Sequence, residues 1–113
     1  MSRSQLRREL RQRRRELTRR EQRRASNALC HHLKANPDVK RAQHLALYWP
    51  NDGEIDPRPF RAVARKLGKQ CYLPVLHPVH HNRLWFYQIN DDTHLVRNRF
   101  GIPEPGIRWN RSR

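Results

Sequence analysis

The chain is organised around the stretch Tyr48-Trp49-Pro50-Asn51-Asp52-Gly53-Glu54-Ile55-Asp56. It closes a short apolar run that begins at Leu45, and a helix-like segment follows it. Between the two lie a tight turn and a carboxylate, Glu54, placed directly after a glycine. A strand, a turn, an acid and a helix start, in this order, are the layout with which α/β proteins hold a ligand at the carboxyl end of a strand. The stretch is therefore the first candidate for a ligand site.

The segments on either side predict a βαβ unit. His44 to Trp49 is predicted as a buried strand, and Asp56 is predicted to cap the next helix with Pro57 at its first position. Gly68 ends that helix, and Gln70 to Leu76 is predicted as the second strand. The helix has apolar residues at i, i+3, i+4 and i+7, namely Phe60, Val63, Ala64 and Leu67. Strand, helix and strand at this length predict a parallel pair joined by a right-handed crossover.

The rest of the carboxyl-terminal half is less regular. Pro74 lies inside the second strand, which predicts a strand end or an edge at that point. Arg83 to Ile89 is predicted as a third strand, and Leu95-Val96 as a short apolar contact. Asn98 to Pro105 is predicted to be extended and stiffened by proline, and residues 106–113 are predicted to form a disordered tail.

A basic helical arm is predicted before the first strand. Its first helix is capped by Ser2 or Ser4 and runs to about Leu17. A second helix begins at Thr18, which has the capping-box spacing, and ends at Asn36-Pro37. Apolar stripes are expected to dock these helices: Leu6, Leu10 and Leu17 in the first, and Ala25, Ala28, Leu29 and Leu33 in the second.

The charge of the chain is strongly unbalanced. Its 113 residues carry 25 lysines and arginines against 10 acids, a net charge of +15, and the first 24 residues hold much of the excess. Such a surface attracts polyanions, whether nucleic acid, nucleotide phosphates or acidic lipid. For the arm three interpretations stay open: a solvated helix pair, a first turn that grips phosphate, and a nucleic-acid-binding arm. The third lacks the interleaved aromatics that would favour it.

Other composition signals narrow the class of protein. Cys30 and Cys71 are far apart and are expected to be free thiols in a reducing compartment. No apolar run has the length of a membrane span or a signal-peptide core, so we expect a cytoplasmic protein without membrane partners. His77, His80 and His81 share a loop without carboxylates, and no metal site is assigned in this chain.

Four segments, in order, resemble the amino-terminal part of the 5-formyltetrahydrofolate cyclo-ligase (5,10-methenyltetrahydrofolate synthetase) family. They are RSQLRRELRQRRRELT (3–18), YWPNDGEID (48–56), GKQCYLPVLHP (68–78) and NRFGIPEP (98–105). The resemblance implies an α/β fold, part of a three-layer Rossmann-like sheet flanked by helices and preceded by the basic arm. Residues 1–105 would form the amino-terminal portion of one such domain, with the arm at about 2–35 and the βαβ unit and third strand at about 44–89.

The resemblance also implies a reaction. The family closes 5-formyltetrahydrofolate to 5,10-methenyltetrahydrofolate with ATP and Mg²⁺, releasing ADP and phosphate. The formyl oxygen becomes a leaving group once it is phosphorylated, and cations neutralise the charge of the transferring phosphoryl group. A small basic nucleic-acid-binding protein and an inactive degenerate domain are the alternatives to this enzyme, and nucleic acid is the less favoured partner.

Site residues carried over from the family fall into two groups. The nucleotide-contacting segment corresponds to Arg3, Ser4, Gln5, Leu6 and Arg7, where Arg3 replaces a lysine that is frequent in relatives. The folate-contacting positions correspond to Trp49 and Glu54. No catalytic residue is assigned, and Lys69 is expected to be a surface residue rather than a ligand.

The chain departs from the family after Pro105. The family continues with further strands and a Gly-rich Tyr-Asp segment that supplies much of its ATP and Mg²⁺ site, whereas this chain reads GIRWNRSR. We therefore expect a truncated chain that lacks the carboxyl-terminal nucleotide loop and has impaired activity. The resemblance does not specify the oligomeric state.

Overall fold

The computed structural model describes residues 2–77, 79–80 and 83–106. Four helices and five strands lie along this part of the chain, and three of the helices precede the first strand. They are α1 (Arg3–Arg15), α2 (Arg19–Ala35), α3 (Pro37–Arg41), β1 (His44–Ala46), α4 (Pro59–Lys66), β2 (Gln70–Leu76), β3 (Leu84–Ile89), β4 (Leu95–Arg97) and β5 (Pro103–Pro105).

Capping boxes begin both long helices. Ser2, not Ser4, caps α1: its hydroxyl accepts from the Gln5 amide, and the Gln5 side chain accepts from the Ser2 amide. Thr18 and Glu21 make the same reciprocal pair at the start of α2, as the spacing predicts. Each pair satisfies two of the backbone donors that a helix start leaves without an intrahelical partner.

Helix α2 ends at Ala35 with Asn36 as its carboxyl-terminal cap, so the predicted end at Asn36-Pro37 is confirmed. A short helix that the sequence did not predict follows at once: the Asn36 side chain accepts from the amides of Asp38 and Val39, and Pro37 occupies the first turn of α3. An Asn-Pro pair that terminates one helix is also well suited to cap the next.

Helix α4 begins later than the sequence predicts. Its amino-terminal flanking residue is Arg58, which makes no side-chain cap, and Pro59 stands in its first turn. The Asp56 carboxylate accepts instead from the backbone amide and guanidinium of Arg58. Asp56 thus shapes the approach to the helix by an Asx-type turn rather than capping the helix itself.

The central sheet has the order β1-β2-β3. β1 and β2 are parallel, as predicted, with Leu45 opposite Cys71, and β2 and β3 are antiparallel, with Pro74 opposite Phe86. β1 is shorter than predicted, although the Leu47 amide still donates to the Tyr72 carbonyl. Pro74 lies beyond the last pairing with β1, where β2 has an open edge that tolerates a residue without an amide hydrogen.

A small hairpin replaces the predicted extended run. β4 and β5 pair antiparallel, with Val96 opposite Glu104, across a turn in which the Gly101 amide donates to the Asn98 carbonyl. The sequence prediction missed this hairpin because β5 is three residues long and contains two prolines, a composition that disfavours strands. Of the predicted tail at 106–113, Gly106 donates its amide to the His94 carbonyl at 2.8 Å beside the hairpin, and residues 107–113 lie outside the described residues.

The core lies between α4 and one face of the sheet. Phe60, Ala64 and Cys71 are at most 4% exposed, and residues from α2, α3, β1 and β3 pack around them. The other face of the sheet carries Leu84 and Phe86, which are 51% and 54% exposed. The predicted mixed α/β class, with helices flanking a sheet, is confirmed. Both cysteines are free.

The leucine stripe of α1 does not dock the arm. Leu6, Leu10 and Leu17 are 46%, 53% and 42% exposed, and α1 contains no buried residue. In α2, Ala28 is exposed as well, and the buried contacts come from Ser26 and from Cys30 and Leu33 of the core. Helical spacing identified the amphipathic faces, but it does not reveal whether a partner surface lies opposite them.

Lys69 is not a surface residue. It is 9% exposed, and its Nζ donates to the carbonyls of Lys40 at 2.8 Å and Ala42 at 2.5 Å. These carbonyls lie at the carboxyl-terminal end of α3, where backbone acceptors lack intrahelical donors and a cation is favoured. Lys69 therefore fastens α3 to the start of β2.

Replacing this ammonium group has a predictable cost. We expect Lys69→Met to lower the free energy of unfolding by about 1–3 kcal/mol, because two carbonyls lose a charged donor in a buried place. Urea denaturation measures the change. Lys66→Met, at an exposed position of α4, is the matched control and should be nearly neutral. Equal stabilities of the two variants would contradict the assigned role of Lys69.

Candidate functional site

The turn after β1 is closed by its own acid. Asp52 and Gly53 have φ angles of +54° and +78°, so both central residues are left-handed, as in a type I′ turn. The Glu54 amide donates to the Asn51 carbonyl at 3.1 Å, and Glu54 Oε1 accepts from the Asn51 amide at 2.9 Å. The carboxylate of Glu54 is therefore held in place by one oxygen, and Oε2 makes no hydrogen bond among the described residues.

Arginines of α1 converge on the residue before this glycine. Arg14 Nε donates to the Asp52 carbonyl at 2.6 Å, and its Nη2 lies 3.2 Å from Oδ2 of the same residue. Arg15 donates to Oδ1, and Arg11 Nε lies 3.5 Å from Oδ2. The hydrogen bond and charge of Arg15, with those of Arg14, lower the pKa of the Asp52 carboxyl below its usual value. Asp52 is thus a carboxylate held between two adjacent turns of a basic helix.

Helix α2 holds the other side of the turn. The Gln22 side-chain amide donates to the Gly53 carbonyl at 3.0 Å, and the buried Ser26 hydroxyl donates to the Asp56 carbonyl at 2.6 Å. The backbone of the turn approaches α1 so closely that a Cβ on Gly53 would lie 3.1 Å from the Arg14 carbonyl oxygen. Glu54 therefore stands on a segment fixed by both helices of the arm.

Trp49 lies beside a cavity of about 300 Å³. The Arg58 guanidinium carbon is 4.4 Å from the centre of the Trp49 ring, a cation–π distance, while Arg58 is also paired with Asp56. Burial raises the pKa of Asp56, but the hydrogen bonds and charge of Arg58 outweigh it and lower that pKa overall. The cavity is lined by Leu47, Tyr48, Trp49, Arg58, Arg61, Leu73, Ile89, Asn90, Asp91, Thr93 and Leu95.

A second, smaller cavity of about 140 Å³ also touches Trp49. Its lining includes Phe100 and Glu104 from the β4–β5 hairpin. Glu104 Oε2 accepts from the Leu76 amide at 3.3 Å and the Asn98 side chain at 3.2 Å, at the open edge of β2. Glu104 lies in a segment that carries the family resemblance, but it is not predicted as a site residue from the sequence, because its position depends on the hairpin.

Tyr48 links the strand to the end of the turn. Its hydroxyl donates to the Ile55 carbonyl. Burial raises the pKa of Tyr48, and the negative charges of Glu54 and Asp56 raise it further. The hydroxyl therefore remains protonated at neutral pH and serves as a donor that fixes the segment after Glu54.

The predicted residues form two separate groups. Trp49 and Glu54 lie at either side of the turn and are half-buried, whereas Arg3 to Arg7 form the exposed first turn of α1. At 1.5 Å per residue, Arg7 lies roughly 10 Å along the helix from Arg14, which grips the turn. The two groups do not contact each other directly in the described hydrogen bonds and ion pairs, but one helix connects them.

The part of the chain described above contains neither a side-chain cluster for a metal ion nor a helix that could cross a membrane. There, no cluster of three or more histidine, cysteine, aspartate or glutamate side chains is arranged to hold a metal ion. His77 and His80 have ring centres 5.0 Å apart, and His81 lies outside the described residues. Among the described helices none is long and apolar enough to cross a membrane.

Comparison with known proteins gives consistent matches along the chain. The family model of 5-formyltetrahydrofolate cyclo-ligases matches residues 1–113. The 5-formyltetrahydrofolate cyclo-ligase of Escherichia coli K12 is 36% identical over 98 residues, which are 87% of this chain and 54% of that relative. The enzyme of the same name from Haemophilus influenzae is 36% identical over 105 residues, 93% of this chain and 56% of the relative.

Solved structures give the same result for the fold. The NMR structure of Aquifex aeolicus 5,10-methenyltetrahydrofolate synthetase is 33% identical, with a TM-score of 0.77 over 93% of this chain and 52% of that one. A 5,10-methenyltetrahydrofolate synthetase from Mycoplasma pneumoniae is 16% identical and shares the fold, with a TM-score of 0.66 over 79% of this chain and 54% of its own.

These features define a mixed α/β protein with a candidate ligand site in the turn after its first strand and a basic helix pair bound to that turn. Within that class, the chain belongs to the 5-formyltetrahydrofolate cyclo-ligase family. It spans about half the length of the curated relatives it matches. The family resemblance inferred from the four sequence segments is confirmed.

The close approach at Gly53 leads to a stability test. Alanine at a left-handed position costs roughly 1–2 kcal/mol, a cost that Gly53→Ala and Gly68→Ala share because both φ angles are near +75°. Only Gly53 has an atom near the added Cβ, namely the Arg14 carbonyl oxygen, whereas Gly68 has none within 4 Å. We expect Gly53→Ala to be less stable than Gly68→Ala by at least about 1 kcal/mol in urea denaturation. Equal losses would show that α1 does not pack on the turn.

Proposed function

We propose that the chain contributes the folate side, and part of the phosphate side, of a site that converts 5-formyltetrahydrofolate to 5,10-methenyltetrahydrofolate with ATP. The observation that carries the proposal is the fixed turn that holds Glu54, directly after Trp49 in the wall of a cavity, in a chain that matches the family over 1–113. The relatives, which are named for this ligase activity, indicate the reaction, and the geometry supports the assignment of residues.

Each folate-side residue has chemistry that suits a pterin. Trp49 offers a flat apolar surface at the cavity wall, and flat aromatic ligands stack on such rings. Glu54 Oε2 is available to accept hydrogen bonds, and a pterin presents an amino group and a ring N–H as donors. A charge-assisted pair of this kind both orients the ring and discriminates against analogues that lack the donors.

The phosphate side has residues that fit ATP. Arg3 and Arg7 are exposed and make no ion pair among the described residues, and they flank the start of a 13-residue helix whose partial positive charge favours anions. Gln5 is engaged in the capping box, so its proposed role is to fix the first turn, with Ser4 and Leu6 completing the segment. ATP would supply the phosphoryl group that turns the formyl oxygen into a leaving group.

Mg²⁺ is the second cofactor of the proposed reaction. The described residues contain no cluster of three or more histidine, cysteine, aspartate or glutamate side chains that fits a Mg²⁺ site made by the protein alone. A cytoplasmic location is part of the proposal and is supported by the two free cysteines, which are typical of a reducing compartment.

The role of Glu54 can be tested by binding. We expect Glu54→Gln to weaken 5-formyltetrahydrofolate binding by roughly ten- to a hundredfold, since hydrogen bonds to charged groups contribute about 1.5–3 kcal/mol. Isothermal titration calorimetry measures the Kd. Arg19→Gln, an exposed position of α2 outside the first turn of α1, is the control and should bind as the wild type does. Unchanged affinity in Glu54→Gln would remove Glu54 from the site.

Calorimetric titrations with folate and with an oligonucleotide distinguish the enzyme hypothesis from that of a nucleic-acid-binding arm. The net charge of +15 favours that alternative. Oligonucleotide binding by the arm would fall steeply as salt increases and would not respond to Glu54→Gln. An inactive degenerate domain would bind neither ligand.

Turnover by these 113 residues alone is expected to be slight. The matched residues cover only 54% and 56% of two relatives that carry the ligase name. Purified chain mixed with 5-formyltetrahydrofolate and Mg-ATP should therefore form little of the methenyl chromophore, as followed by absorbance. Rapid growth of that absorbance would show that the residues described above already complete the catalytic site.

A further inference from the structure

The described polar contacts that attach α1 to the rest of the protein converge on one residue, Asp52. α1 buries no residue, and its leucines are about half exposed. Its described polar contacts with the rest of the fold go to Asp52, from Arg11, Arg14 and Arg15. An isolated helix of 13 residues is only marginally stable in water, so its order depends on such contacts.

The three arginines also need Asp52 for an electrostatic reason. They lie within about one and a half turns of the same helix, and like charges at this spacing repel. Asp52 has a quarter of its side chain exposed, which keeps its charge less screened than that of a fully solvated acid. If its charge is lost, three cations face the carbonyls of the turn without a counter-ion.

The position of Asp52 in the chain connects this contact to the proposed site. Glu54 follows two residues later, and the carbonyls of Asp52 and Gly53 are themselves bound by Arg14 and Gln22. The same helix carries Arg3 to Arg7 at its other end. Movement of α1 therefore changes both the direction of Glu54 and the place of the proposed phosphate contacts.

We infer that Asp52 is a positioning residue: its carboxylate docks α1 on the turn and thereby sets the geometry of the folate side. This inference rests on the proposed function for its ligand, but the docking itself is independent of any ligand. Neither the family resemblance nor the names of the relatives assign a role to Asp52.

Asp52→Asn is the cleanest variant with which to test it. Asparagine tolerates the left-handed conformation that Asp52 adopts, so the turn is retained while the charge is removed. The matched control for hydrogen exchange is Asp91→Asn, since Asp91 likewise pairs with two arginines, but on α4 rather than on the arm. Asp91 also lines the cavity beside Trp49, so the control for folate binding is Asp38→Asn, at an exposed acid paired with Arg41 away from that cavity. A general effect of losing a shared carboxylate would appear in Asp52→Asn and Asp91→Asn alike.

Two measurements on the full 113-residue chain decide the matter. Hydrogen–deuterium exchange without ligand should show the amides of α1 losing most of their protection in Asp52→Asn but not in Asp91→Asn. If the fraction of molecules with α1 docked on the turn falls to about one tenth, calorimetry should show 5-formyltetrahydrofolate binding about tenfold more weakly to Asp52→Asn. Both results together support the inference.

The opposing outcomes are distinct. Unchanged exchange of α1 in Asp52→Asn would overturn the docking role, and faster exchange with unchanged folate affinity would reduce Asp52 to a structural contact. Failure of the wild-type chain to bind folate would overturn the proposed function, and with it the positioning role, whatever the variants do.

Discussion

The scarcity of carboxylates is the constraint on which this structure depends. A chain with 25 basic and 10 acidic side chains cannot pair most of its cations, so the position of each acid matters. Asp52 forms ion pairs with three arginines, and Asp91 with two. In each case the acid lies in a connecting segment while the arginines lie on a helix. The few acids thus decide how helices are oriented on loops, although exposed pairs contribute little individually.

The shortness of β1 also determines which segments surround the candidate site. Because β1 ends at Ala46, the chain leaves the sheet early and the second half of β2 keeps an open edge. Glu104 of β5 reaches this edge and accepts from the Leu76 amide. Trp49 lines both the smaller cavity at this edge and the larger cavity. The surroundings of Trp49 therefore come from segments on both sides of it in the chain.

Burial of charge shows the same dependence on tertiary structure. Lys69 precedes β2 in a polar-looking Gly-Lys-Gln segment, yet its ammonium group lies inside the protein on the last carbonyls of α3. The position is favourable because carbonyls at the end of a helix lack an intrahelical donor. The compensation exists only because α3 forms, and α3 forms because Asn36 caps it.

Local features could be predicted from the sequence alone: the capping box at Thr18, the parallel pair of β1 and β2 and the family resemblance. They follow from short-range hydrogen bonds and from periodicity, which depend on neighbouring residues. The choice of Ser2 over Ser4 as the cap of α1, the exposure of the α1 leucines, the pairing of Asp52 with the arginines and the contact of Glu104 with β2 became clear only in the folded structure. Such contacts join residues about 30 positions apart in the chain. The sequence around one residue does not specify which distant residue will contact it after folding.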